Sequence, residues 1–207
     1  MKIEAILFDL GKVLVDFNFE IGLQALHAAS SISRSRLDEV IWDGNWICRY
    51  ERGEISTSDY HAYLCKTADL TMDLSDFCRT WSSVFLPEPI VSENLLTALK
   101  RNYPLILVSN TNEAHIDFVR SNYGVLDHFN HLVLSYEVGS LKPDRKIFEH
   151  AISVSGHDPK ALFFTDDREE NILAARRLGM KAHQFKTESQ LVNALQEAGV
   201  QVDFVMQ

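Results

Sequence analysis

The sequence predicts an α/β chain: a Rossmann-like parallel sheet core with a helical cap inserted after the first strand. Three observations predict it. An apolar run from Ile3 to Phe8, broken only by Glu4, leads into Asp9 and then Gly11. That is the layout of a short buried strand, a carboxylate at its carboxyl end and a tight turn. A stretch of helical periodicity follows and closes at Pro87-Glu88-Pro89. From Ile90 onward, short apolar runs alternate with segments of helical length, which implies right-handed crossovers and a parallel sheet.

The elements follow in order. Glu20 to Ser30, with Ile21, Leu23 and Leu26, has the pattern of an amphipathic helix. Arg34 to Tyr50 reads as a second, with Leu37, Val40, Ile41 and Ile47 on one side. Glu51-Arg52-Gly53-Glu54-Ile55 ends it, and Gly53 suits the position just past a helix. Ser56 to Asp59 supplies caps for a third helix, Ser58 to Lys66, and a fourth spans Leu74 to Val84. Pro87 to Pro89 reads as a linker. The remainder gives helices at Glu93–Asn102, Glu113–Tyr123, Arg145–Val154, Glu169–Leu178 and Glu188–Ala198. Its strands are Leu105–Ser109, His131–Leu134, Ala161–Thr165 and Lys181–Phe185. The expected division is a core of residues 1–15 and 88–207 and a cap of residues 16–87.

Composition sets the limits. With 207 residues and 46% hydrophobic content, the chain is long enough for one α/β domain with an insertion. A net charge of −9 argues against nucleic acid and anionic membrane partners. It leaves open a phosphorylated small molecule, because the local charge of a pocket outweighs the sum. Cys48, Cys65 and Cys78 have neither disulfide nor zinc spacing and read as reduced thiols. No secretory signal and no membrane-spanning run is apparent, so the expected location is the cytoplasm. A monomer is the simplest expectation, with a dimer as the alternative.

Four strand ends carry polar chemistry. The first ends on Asp9, the next on Ser109-Asn110-Thr111-Asn112, the third is followed by Lys142, and the fourth ends on Asp166-Asp167. In an open parallel sheet these meet at one edge. An aspartate there can attack an electrophile. Ser109 and the turn after it can hold phosphate oxygens, and Lys142 can neutralise a transferring phosphoryl group. Asp166 and Asp167 beside Asp9 repel unless a cation lies between them, and an all-oxygen donor set points to Mg²⁺. Each has an ordinary structural explanation: a helix cap, a surface lysine, acids at a helix start. All four in order, each at an expected strand end, argue for a site.

These motifs resemble those of the haloacid dehalogenase-like hydrolase superfamily across the full length. They are Asp9-Leu10-Gly11-Lys12-Val13, Ser109, Lys142, and Asp166-Asp167 with Asn171. The helical insert resembles the family's type-one cap. Ser109-Asn110-Thr111-Asn112 and Glu51-Arg52-Gly53-Glu54-Ile55-Ser56 look most like bacterial sugar-phosphate phosphatases, including the α-glucose-1-phosphate phosphatase type. The resemblance implies a Mg²⁺-dependent phosphatase of small phosphorylated metabolites working through an aspartyl-phosphate. Asp9 is then nucleophile and metal ligand, Gly11 a carbonyl ligand, Asp167 a direct ligand, and Asp166 a ligand directly or through water. Leu10, Gly11, Ser109, Asn110 and Lys142 hold the phosphoryl group, and Asn171 supports the loop.

One position departs from the pattern. Most phosphatases of the superfamily carry a second Asp two residues after the nucleophile, as general acid and base. Here Gly11 stands in its place. A water, a cap residue or a good leaving group such as an anomeric phosphate then has to compensate. In the cap, Trp42 reads as packing, whereas Trp46, Arg49 and Tyr50 are open between packing and substrate. Trp46 and Arg49 are carried forward as substrate contacts. His115, just after the Ser109 loop, is the histidine that stands out, and Arg168 balances the acidic pair. The competing functions are a 2-haloacid dehalogenase using Asp9 without metal and a non-catalytic phosphate-binding module.

Overall fold

The computed structural model describes residues 2–202. The chain opens with β1 (Ala5–Phe8) and β2 (Val15–Phe17). Five helices follow: α1 (Phe19–Ala28), α2 (Arg34–Ile41), α3 (Gly44–Glu51), α4 (Thr57–Thr67) and α5 (Leu74–Ser82). Then come β3 (Phe85–Pro89), α6 (Glu93–Lys100), β4 (Leu105–Ser109), α7 (Glu113–Asn122) and β5 (His131–Leu134). The chain continues through α8 (Ser135–Val138), α9 (Arg145–Ser155), β6 (Leu162–Asp166), α10 (Glu169–Arg177), β7 (Lys181–Gln184) and α11 (Glu188–Glu197).

Five strands form a parallel sheet in the order β5-β4-β1-β6-β7. β1 is central, and all four of its residues are buried. Its side chains alternate between the two faces, as the strand period requires. Ile6 and Phe8 join Leu105 and Leu107 under α6, α7 and α11. Ala5 and Leu7 join Ile106, Val108 and Phe164 under α9 and α10. A sheet covered on both faces explains why these strands read as continuous apolar runs.

The cap has its own apolar cluster, built on Leu26, Leu37, Ile41, Tyr50, Tyr60, Phe77 and Trp81. Ala114 of α7 belongs to the same cluster, so cap and core share a packed contact. β2 and β3 pair antiparallel, Val15 with Pro89 and Phe17 with Phe85. The expected division at residues 15–16 and 87–88 runs through this ribbon.

Two expectations change, and β2 and α8 are elements that the sequence pattern does not anticipate. The single helix over Arg34 to Tyr50 is two, because Asp43 accepts a hydrogen bond from the Asn45 N–H and starts a new helix after Trp42. The Pro87–Pro89 linker is part of a strand, whose prolines lie in a two-stranded ribbon that tolerates missing donors. α8, directly after β5, has no separate signal in the sequence. Elsewhere the expected ends hold to within a few residues. The capping box of α4 is formed by Ser56 and Asp59, which bond each other's backbone N–H groups.

Candidate active site

The parallel order brings four strand ends to one edge. Asp9 follows β1 and is 8% exposed. Its Oδ1 accepts from the Leu10 N–H at 2.7 Å, which turns the carboxylate back over its own loop. Lys142 lies in the segment between α8 and α9, and its Nζ is 2.7 Å from Asp9 Oδ1 and 2.7 Å from Asp166 Oδ2. Its side chain is 1% exposed, so this is a buried cation shared by two carboxylates and not a surface lysine. Asn110 fixes it there: its Oδ1 accepts from the Lys142 N–H at 2.6 Å, and its Nδ2 donates to the Lys142 carbonyl at 2.9 Å. Asn110, directly after β4, therefore grips the backbone of Lys142 in the segment before α9.

Asp166 is completely buried and held by further donors. The Arg168 N–H donates to Oδ1 at 2.9 Å, and Asn171 Nδ2 reaches both oxygens, at 2.9 and 3.0 Å. Asp167 is half-buried beside it. Asp9, Asp166 and Asp167 each offer a carboxylate oxygen within 4.8 Å of the others. One lysine cannot neutralise three acids. The uncompensated charge and the all-oxygen donor set fit a hard divalent cation such as Mg²⁺.

The titration behaviour follows from the same arrangement. Burial pushes the Asp9 carboxyl up to about 7, against the pull of Lys142 and with a further push from Asp166. Burial also opposes ionisation of Asp166, but Lys142 and the Arg168 and Asn171 donors outweigh it and hold that carboxyl below its ordinary value. Burial and the Asp166 charge raise Asp167. Burial opposes the charge of Lys142, but its two carboxylate partners raise its pKa above the ordinary value.

Ser109 ends β4 and is 2% exposed. It is not the cap of α7; Asn112 takes that role by accepting from the His115 N–H at 3.1 Å. A cleft between core and cap opens on Gly11, Ser109 and Asn110, with Phe19, Trp42, Ile47 and Glu51 on the cap side. Trp42 thus lines the cleft while also packing edge-on against Phe19 at 5.0 Å. Trp46 and Arg49, expected at the substrate, are placed elsewhere. Trp46 stacks on Tyr63 at 4.1 Å, and Arg49 lies over the Trp46 ring and pairs with Glu54 at 3.4 Å. The break at Asp43-Gly44 resets the helical register and turns Ile47 and Glu51 to the cleft. The sequence signal for it is an Asp-Gly pair where a new helix can start. Tyr50 is fixed to the core, its hydroxyl donating to Asn112 Oδ1 at 3.2 Å.

Comparison with known proteins agrees with this geometry. The family profile of haloacid dehalogenase-like hydrolases matches residues 3–179. The chain belongs to this family. The matched span contains Asp9, Ser109, Lys142, Asp166 and Asp167. A D-ribitol-5-phosphate phosphatase of Bacteroides thetaiotaomicron is 26% identical over 189 residues, covering 88% of this chain and 91% of the relative. An (S)-2-haloacid dehalogenase of Pseudomonas sp. is 27% identical over 186 residues, covering 86% of this chain and 80% of the relative. A HAD family enzyme from Bacteroides thetaiotaomicron, solved in complex with magnesium and inorganic phosphate, superposes with a TM-score of 0.81 at 27% identity. That superposition covers 89% of this chain and 95% of the other. Among the described residues, no helix is long and apolar enough to cross a membrane.

Proposed function

We propose that this hydrolase is a Mg²⁺-dependent phosphomonoesterase of a small phosphorylated metabolite, with a sugar phosphate as the first substrate class. The observation that carries the reading is the buried Lys142 between Asp9 and Asp166, with Asp167 completing an acidic trio around one point. A dehalogenase working on a carbon–halogen centre has no use for that trio. The phosphatase among the relatives and the magnesium and phosphate bound to a structural neighbour support the same reading.

In this proposal Asp9 is the nucleophile. Its carboxylate attacks phosphorus, the bond to the leaving oxygen breaks, and an aspartyl-phosphate forms. Ser109 and the backbone of Leu10 and Gly11 orient the phosphoryl oxygens, and Lys142 balances their negative charge as it shifts in the transition state. Asp9, Asp166, Asp167 and the Gly11 carbonyl would hold Mg²⁺, which supplies charge neutralisation for the phosphoryl group. Asn110 keeps Lys142 in place, and Asn171 keeps Asp166 in place. Water then attacks phosphorus, releases phosphate and restores Asp9. Trp42 and Phe19 offer ring faces to the carbon skeleton of the leaving group.

The test is phosphate release from a panel of sugar phosphates and other monoesters, in Mg²⁺ or in EDTA, for the wild type and Asp9→Asn. Release that requires Mg²⁺ and disappears in Asp9→Asn is the expected result. Halide release from 2-haloacids in EDTA, with no phosphate release, would overturn the proposal in favour of a dehalogenase.

A further inference from the structure

We propose that Glu51 of the cap is the proton donor and acceptor of the reaction, taking the role left open by Gly11. The inference rests on the phosphomonoesterase reading. An alcohol leaving group departs as an alkoxide unless it is given a proton, and a positioned acid is the ordinary means of supplying one. Position 11 has no room for that acid. A Cβ there would lie 2.7 Å from Cε1 of Phe17, so the ring occupies the space in which such a side chain would begin.

The cleft identifies the substitute. Among the described residues that line it, Glu51 is the one carboxylic acid, and it faces the same space as Gly11 and Ser109. The other titratable group there is His115, and both of its ring nitrogens are engaged, Nδ1 with Asn112 and Nε2 with the Trp81 carbonyl. The Glu51 side chain has no hydrogen bond or ion pair with a described residue, which leaves its carboxyl available. Ile47, one turn earlier on α3, and Trp42 give it an apolar setting.

Its neighbours hold it over the strand ends. Tyr50, immediately before it, is bonded to Asn112 of the core. Arg52, immediately after it, lies 3.9 Å from Asp144. Gly53 packs directly on the backbone of Tyr136. The charged groups near the carboxyl are Arg168 of the core loop and Arg52, with the Tyr60 ring behind it. Burial outweighs the two arginines and pushes Glu51 up to about 7. A group with that value is a donor and an acceptor at neutral pH.

The steps balance. Asp9 attacks phosphorus, the phosphorus–oxygen bond to the leaving group breaks, and the departing oxygen takes the proton of Glu51. The resulting Glu51 carboxylate removes a proton from water as that water attacks the aspartyl-phosphate. Asp9 leaves as a carboxylate, phosphate is released, and Glu51 is protonated again.

The experiment compares wild type, Glu51→Gln and Glu51→Asp on p-nitrophenyl phosphate, whose leaving group needs no proton, and on glycerol 3-phosphate and ribitol 5-phosphate, whose leaving groups do. For Glu51→Gln the expected fall in kcat/KM is ~10²–10⁴-fold on the alkyl phosphates and within about threefold on the nitrophenyl ester. Retained kcat/KM on the nitrophenyl ester also shows that the variant is folded, while its kcat there falls because aspartyl-phosphate hydrolysis has lost its base. Glu51→Asp keeps a carboxyl on a shorter arm, and partial recovery on the alkyl phosphates is expected. In the wild type, kcat/KM on alkyl phosphates falls above about pH 7, and this limb is absent in Glu51→Gln. Equal losses on both ester types, or no loss on either, would overturn the role of Glu51 alone. A folded wild type inert towards every phosphate ester would overturn the phosphomonoesterase reading, and this role with it.

Discussion

A Cβ placed on Gly53 would stand 2.1 Å from the carbonyl oxygen of Tyr136, closer than any side chain can approach a backbone atom. Gly53 also has φ +67°, in the left-handed region. The turn that closes α3 is therefore seated directly on α8. Gly53→Ala must lift that turn off the core, and kcat/KM for the preferred ester is expected to fall at least tenfold, at roughly 1 kcal/mol or more in stability. Gly156→Ala is the control: its φ is +70°, but nothing lies within 4 Å of the added Cβ. It is expected to lower the melting temperature and leave kcat/KM unchanged.

Lys142 is the counter-charge of two buried carboxylates. Lys142→Met leaves both facing each other in a dry site, and losing one partner of a buried ion pair costs about 3–5 kcal/mol. Urea denaturation at pH 8 in EDTA should show a loss of this order. Added Mg²⁺ should recover part of it and none of the activity.

His115 makes stability depend on pH. Its Nε2–H donates to the Trp81 carbonyl at 3.1 Å, and its Nδ1 accepts from Asn112 Nδ2 at 3.2 Å, an arrangement suited to the neutral ring. Burial lowers its pKa from 6.5 to about 4. The unfolded chain therefore binds the extra proton first on acidification. Stability from this group is complete above the unfolded value and is lost as pH falls from about 6.5 towards 4, by roughly 3 kcal/mol at most. The ΔG of unfolding of His115→Gln, followed over the same range, should decline less steeply than that of the wild type.

Asn171 touches both oxygens of Asp166 and nothing of the substrate cleft. Asn171→Ala frees that carboxylate to rotate. Isothermal titration should show Mg²⁺ affinity reduced ~10–100-fold, the usual cost of removing a group that orients a ligand. Saturating Mg²⁺ should restore most of the turnover.

The core was legible because its signals are local. The runs at Ile6, Leu105 and Leu162 each carry their own period and their own turn chemistry, and Asp9, Ser109 and Asp166 stand at or next to the ends of such runs, whereas Lys142 lies beyond α8. The cap was legible only in outline. Val15–Phe17 is too short and Phe85–Pro89 too proline-rich to read as strands, and they exist because each pairs with the other. Cap residues were the weak point for a related reason. Trp46, Arg49 and Glu51 lie on one short helix, and only the break before Gly44, a tertiary outcome, decides which of them turns to the cleft. The dual grip of Asn110 on Lys142 joins residues far apart in the chain, and no spacing rule announces it.

β1 carries the nucleophile at the start of the chain, yet its hydrogen-bonding neighbours are β4 and β6. Of these three strands β1 is made first, yet it is flanked on both sides only once β6 has formed. Until Leu162–Asp166 has been synthesised, Ile6 to Phe8 lack one flank of the sheet, and such long-range pairing forms late. Lys142, Asp166 and Asp167 also emerge after the whole cap. A fragment truncated before Asp166 would carry Asp9 without its full set of partners, so under the proposed mechanism hydrolytic competence arrives only once the segment through Asp167 has been made.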